Sequence, residues 1–207
     1  MISPPGWGGV AFSDGSDGDL RRDRQARADF VEHIGLSAEW ATVNQVHGDR
    51  VVEAGAGGPL GDADAIWTMR PGLPIAIFTA DCFGVIALAP AAVGVAHTGW
   101  RGASAGVVDR MIAAMSEAGQ RPSRLAIGPG IGPCCFEVGP EVAARFGSHH
   151  ARTTWGTESI DLARHITSEV PADIDVWSHG GCTMHETGWF SHRGSGTEER
   201  MAAVAWI

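Results

Sequence analysis

The sequence predicts an α+β fold in which strands and helices mix along the chain without strict βαβ alternation. Three observations predict it. Short apolar, partly β-branched runs recur between residues 41 and 96, separated by Gly, Pro and Asp turns. Helical apolar spacing is confined to a few separate stretches. The chain has 207 residues, 44% of them hydrophobic and 19% charged, which is ordinary globular composition for one domain spanning 1–207. At this size folding hides roughly 70% of the unfolded surface, so no disulfide staple is needed.

The elements follow in order. Residues Leu20 to Ile34 are charged, then apolar at helical spacing, and Gly35 supplies the stop. Ala41 to Val46 and Arg50 to Ala54 are strands flanking His47, Gly48 and Asp49. Gly55 to Asp64 is a Gly/Pro/Asp loop. Ala65 to Thr68, Ile75 to Thr79, Val85 to Leu88 and Val93 to Ala96 are buried strands. Ser104 opens a helix whose apolar face is Val107, Val108, Met111, Ile112 and Met115, ended by Gly119. Leu125 to Ile127 is a strand that runs into the turn-rich 128–133. One helix begins near Pro140, a favoured first-turn residue, and another near Asp161, stopping before Pro171. Ile174 to Trp177 and Met201 to Ile207 are the final strands.

Composition removes several kinds of chemistry. The net charge is −9, against which neither nucleic acid nor an anionic membrane is an expected partner. All 15 basic residues are Arg and there is no Tyr, so Lys Schiff bases, Walker-type phosphate loops and phenolic acids are excluded. The opening residues carry no basic then apolar leader, and no run of about 18 apolar residues occurs. Cys134 and Cys135 are adjacent, which suits ligand, nucleophile or core roles better than disulfides. A reducing, cytoplasmic setting is expected.

Two constellations carry possible chemistry. Gly102 to Gly106 matches G-x-S-x-G and would make Ser104 a hydrolase nucleophile. A polar loop, 97–101, separates it from the preceding strand, so the N-cap of the following helix is the favoured role. His47, Cys82 and His97 each stand where an apolar run stops. Two imidazoles and a thiolate suit Zn²⁺ and leave an open coordination position, although buried His and Cys are most often plain core residues. Trp100, beside Arg101, can stack on a planar base. His149 and His150 read as solvated.

Six stretches occur in order: QVHG at 45–48, DADA at 62–65, TADC at 79–82, HTGWRG at 97–102, GPGIGPCCFEVG at 128–139 and FSHR at 190–193. Together they resemble the purine nucleoside phosphorylase family of the YfiH type, also labelled multicopper polyphenol oxidase or laccase domain. The resemblance implies a four-layer α/β/β/α sandwich with mixed sheets. It implies a zinc enzyme of purine nucleosides, with phosphorolysis of adenosine, inosine and S-methyl-5′-thioadenosine or deamination of adenosine. It implies His47, Cys82 and His97 as metal ligands. Copper is a second candidate ion, since Cu²⁺ competes well for N/S sites. A laccase-type copper cluster fits poorly, because only two of nine His fall in this set.

On this reading the catalytic set is Cys82, His97, Arg101, Asp81 and Asp64. Arg101 would hold phosphate through its planar fork, and Asp81 and Asp64 are candidate bases or, equally, turn caps. Asn44, Gln45 and Trp100 are candidate substrate contacts. The family's N-terminal Arg is replaced here by an acidic loop, Asp14, Asp17 and Asp19, which would repel phosphate if it reached the pocket. Purine nucleosides and phosphate are the expected partners, and the chain is expected to be a monomer. Serine hydrolysis through Ser104, copper-dependent polyphenol oxidation and non-catalytic metal binding are the alternatives.

Overall fold

A computed structural model describes residues 1–32 and 34–207. Two sheets lie back to back, each with helices on its outer face. The first elements are β1 (Val10–Phe12), α1 (Arg24–Glu32), β2 (Ala41–Asn44), β3 (Val51–Glu53), β4 (Gly58–Asp62), β5 (Ala65–Thr68) and β6 (Ile75–Thr79). They are followed by β7 (Phe83–Ala89), β8 (Ala92–Thr98), α2 (Trp100–Ser104), α3 (Val107–Glu117) and β9 (Arg124–Ile127). The last are α4 (Pro140–Ala143), β10 (His150–Arg152), β11 (Glu158–Ile160), α5 (Leu162–Glu169), β12 (Asp175–Ser178), α6 (His192–Ser195) and β13 (Met201–Ala205).

One sheet has the order β1-β13-β6-β2-β4 and the other β12-β9-β7-β8-β5-β3. Both mix parallel and antiparallel pairs. β10 and β11 form a separate hairpin. Three cores separate four layers. Ile75, Ile77, Ile86, Val95 and Ala203 fill the space between the sheets. Phe30, Val31 and Trp40 pack α1 onto Ala76 and Phe78 of the five-stranded sheet. Met111, Met115 and Ile166 pack α3 and α5 onto the six-stranded sheet. This is the expected α/β/β/α arrangement. Strands that face a core on both sides cannot alternate, which is why β5 and β6 read as unbroken apolar runs. Gly84 marks how closely the sheets approach, since a Cβ there would lie 2.5 Å from Ala203 Cβ.

Several expectations change. Residues 58–62, expected as loop, form an edge strand parallel to β2, where Pro59 needs no sheet partner for its missing N–H. The first helix begins only after Asp23, whose carboxylate accepts the Gln25 and Ala26 N–H groups. Ser104 caps nothing. It is the exposed last residue of α2, and α3 starts after Gly106, whose φ of 77° breaks the two helices apart. β1, β10, β11 and α6 were not anticipated, and His150 belongs to β10. Among the described residues no helix is long and apolar enough to cross a membrane.

Candidate active site

The ligand half of the site is built around one buried carboxylate. Asp64, just before β5, is fully buried. It accepts backbone N–H bonds from Val46 at 3.2 Å, His47 at 3.0 Å and Gly48 at 2.6 Å. Those bonds hold His47 at φ 61°, a left-handed conformation uncommon outside glycine. The same carboxylate meets His97 Nδ1 at 2.8 Å. That contact fixes the ring so that Nε2 is the nitrogen left for a ligand or proton. Cys82 sits between β6 and β7. The ligand atoms of His47, Cys82 and His97 lie within 4.8 Å of one another. The two imidazoles are edge to face with centroids 4.7 Å apart.

The charges follow from this packing. Burial opposes ionisation of Cys82, but hydrogen bonds from His47 and His97 pull its thiol down to about 6. Burial likewise opposes the His97 imidazolium, yet Asp64 and Cys82 hold it up at about 9. Asp64 titrates below the usual carboxylate range despite burial, because His97 and the amides of Gly48 and His47 favour its charged form. Gly99 leaves room for the sulfur. A Cβ on it would stand 2.9 Å from Cys82 Sγ, and its backbone is otherwise unremarkable at φ −84°. Two imidazoles, a thiolate and a carboxylate behind one imidazole form a donor set that fits a borderline-soft metal ion.

The triad opens into a cavity of about 390 Å³, within the usual range of roughly 300–1,000 Å³ for small-molecule sites. Arg21, Arg101, Arg193 and Arg200 line it, with His192 between them in the sequence. Arg21, Arg101 and Arg193 are exposed at the rim, while the triad runs from buried His97 on the floor through half-buried Cys82 to exposed His47. Burial and the neighbouring Arg21 pull Arg200 below the ordinary guanidinium range. Like charges crowded in this way are relieved by an anion. Arg101 also stacks over Trp100, 4.2 Å from the ring centroid, and both line the cavity.

Other sequence candidates are placed differently. Gln45 lines the cavity, but its amide is spent on both backbone groups of Phe78. Asn44 does not line it and donates to Asp62. Asp81, at φ 86°, accepts from the Thr183 and Ser191 hydroxyls at 2.8 Å and from the Arg193 N–H at 2.6 Å. It clasps the segment that carries Arg193 and His192. The acidic loop divides, with Asp14 and Asp17 turned to the chain's N-terminus and Asp19 beside the rim arginines. Asp14 and Asp17 pair with the Met1 ammonium, and Asp17 closes a capping box with Asp14. Asp19 accepts the backbone N–H of Arg21 and Arg200. The region therefore brings Arg21 to the rim. Among the described residues, no histidine hydrogen-bonds to Ser104. Sequence reasoning missed Arg21, Arg200 and His192. Arg21 and Arg200 lie in charged runs with no pattern, and His192 with Arg193 is visible only as part of FSHR.

A family profile described as multi-copper polyphenol oxidoreductase laccase matches residues 2–207. The chain belongs to that family. It is 35% identical to a purine nucleoside phosphorylase of Deinococcus radiodurans over 98% of its length and 84% of the relative. It is 34% identical to the purine nucleoside phosphorylase ORF3 of Streptomyces griseus, over 97% of this chain and 85% of that one. Among solved structures, YlmD of Geobacillus stearothermophilus superimposes with a TM-score of 0.83 at 25% identity, covering 99% of this chain and 94% of that one. YfiH of Bacillus licheniformis gives 0.82 at 22% identity, over 96% and 92%, and supports the fold. The family's laccase label suggests metal use. The residues gathered here offer one site with two imidazoles and one thiol, and nothing resembling a cluster of copper-bound imidazoles among the described residues.

Proposed function

We propose that this protein is a zinc-dependent purine nucleoside phosphorylase that splits purine nucleosides with inorganic phosphate. The observation that carries the reading is the joining, in one cavity, of a soft-metal triad and four arginines. The arginines bind and orient phosphate, whose oxygens match the guanidinium fork. A phosphate oxygen bonds to ribose C1′ as the bond from C1′ to the purine nitrogen breaks. The electron pair leaves with the purine, which takes up one proton, and His192 is our candidate donor. Trp100 offers its ring to the base. Asp64 positions His97 and His47, and Asp81 positions Arg193. His47, Cys82 and His97 would hold Zn²⁺, which when bound supplies Lewis-acid polarisation at the cavity floor.

Phosphate recognition favours this reaction over deamination of adenosine, which needs only water. The test is turnover of inosine, adenosine and S-methyl-5′-thioadenosine with and without phosphate, on protein whose metal content has been measured. Phosphate-dependent release of free base with ribose 1-phosphate is expected. Ammonia release from adenosine with no free base, or base release indifferent to phosphate, would overturn it.

A further inference from the structure

A second group of soft donors lies outside the triad. Cys134, Cys135 and His185 bring their ligand atoms within 4.8 Å of one another. Cys135 and Phe136 return their N–H groups to the Gly132 carbonyl, and this tight turn curls the adjacent cysteines toward a common side. Cys182 stands against them, interacting with both thiols. Its sulfur accepts the Gly132 N–H at 3.1 Å, the kind of outer contact that orients a ligating thiolate. A Cβ on Gly132 would sit 3.3 Å from Cys134 Sγ and 3.4 Å from Cys182 Sγ, so glycine keeps the sulfurs close. All four cysteines of the chain are free thiols. His185 is exposed and opens the group to solvent.

We propose that Cys134, Cys135 and His185, with Cys182 beside them, form a second metal site for a soft divalent cation of the zinc class. Two thiolates and an imidazole select such an ion over magnesium or calcium. Each thiol that ligates releases its proton to solvent, and no redox step is involved. The site is structural. It joins two loops already bridged at Gly130 and Cys182. The first loop carries Ile131 and Phe136 of the cavity wall. The second carries Thr183, a donor to Asp81. An ion there would staple the wall of the cavity to the segment that presents Arg193.

The experiment is a Co²⁺ titration of the full chain after chelation, read by bound metal per chain and by the absorption of sulfur-to-cobalt charge transfer. The unaltered chain should bind two ions. A His47→Ala, Cys82→Ser variant should keep one, with its thiolate absorption. In that background His185→Ala should weaken the remaining ion at least tenfold, as loss of even an outer partner does, and Cys134→Ser should do the same. Should the double variant fail to fold, His185→Ala and Cys134→Ser in the otherwise unaltered chain should each lower binding from two ions to one. A single ion in the unaltered chain that Cys82→Ser abolishes, or a second ion indifferent to both His185→Ala and Cys134→Ser, would overturn the proposal. Because the readout is binding at a site without triad residues, its outcome is separate from that of the phosphorolysis assay.

Discussion

Asp64 and Asp81 are both buried carboxylates at strand ends; Asp64 anchors His47 at positive φ, and Asp81 has a positive φ of its own. They organise opposite halves of the cavity. Asp64 gathers partners 16 to 33 residues away, the amides of the loop between β2 and β3 and the His97 ring on β8. Asp81 reaches 102 to 112 residues along the chain to hold the segment 183–193. The ligand half is thus part of the sheet framework. The anion half draws its arginines from separate segments, and the one that carries Arg193 is fastened by Asp81 together with backbone bonds such as Thr183 N–H to the Gly130 carbonyl. Damage to the first should cost the fold and the metal together, and damage to the second should cost the substrate.

The largest expected effect is at Asp64. Asp64→Ala leaves a buried histidine and three amides without their partner, and loss of one side of a buried ionic network costs roughly 3–5 kcal/mol. Denaturant melts should show that loss, and elemental analysis should show a chain depleted of metal. Parental stability in this variant would remove Asp64 from the centre of the comparison. Asp81→Ala comes next. Three orphaned donors, two of them hydroxyls able to turn elsewhere, cost about 1–3 kcal/mol. Steady-state kinetics should show a raised KM for phosphate with metal content intact, so equal loss of metal would erase the distinction between the halves.

The pair Cys82 and His97 sharpens the comparison through pH. A raised imidazole contributes stability below its unfolded value of 6.5 and loses it as pH rises through about 9. A lowered thiol contributes above its unfolded value of 9.0 and loses it as pH falls through about 6. The two trends oppose each other, so metal-free protein should show a nearly flat stability profile between pH 6 and 9. At pH 7.5 the sulfur is already a thiolate and His97 still carries its proton. Metal entry at the triad should then expel about one proton, which calorimetry of the Cys134→Ser chain in buffers of different ionisation heat would count.

Arg101 should have a smaller effect. Arg101→Lys keeps the charge but loses both the fork and the stack on Trp100, so the KM for phosphate should rise by about tenfold or less. The smallest effect belongs to the acidic loop. Asp14 and Asp17 already face the Met1 ammonium rather than the cavity. Asp14→Asn with Asp17→Asn should leave phosphate dependence unchanged at every salt concentration, and a salt-sensitive gain would return the loop to the site.

The floor was legible in part, because strand ends put His47, Cys82 and His97 forward as candidates and only the family resemblance singled them out as ligands. Apolar runs such as Ile75 to Thr79 announce themselves, and His47, Cys82 and His97 mark where such runs stop. The strand at 58–62 was hidden because Gly58, Pro59 and Gly61 carry turn chemistry, which only an edge position tolerates. The rim was hidden for another reason. Arg21 and Arg200 lie in hydrophilic stretches whose pattern matches any solvated surface, and only the tertiary path brings them together. The work of Asp64 and Asp81 was half legible. The sequence offers both as bases or turn caps alike, and their hydrogen bonds to His97 and the Arg193 segment fit a positioning role.

The sheet order β1-β13-β6 also bears on how the chain is made. β1 leaves the ribosome long before its partner on the sheet, β13, residues 201–205. At translation speeds of about 5–20 residues per second, β1 waits on the order of 10–40 s for that partner. During this interval the apolar faces of β1 and β6 lack the strand that lies between them. The six-stranded sheet with α3 can assemble earlier, since all of its strands precede residue 179. Synthesis therefore passes through a half-built sandwich, in which one finished sheet shelters the other until the last strand arrives.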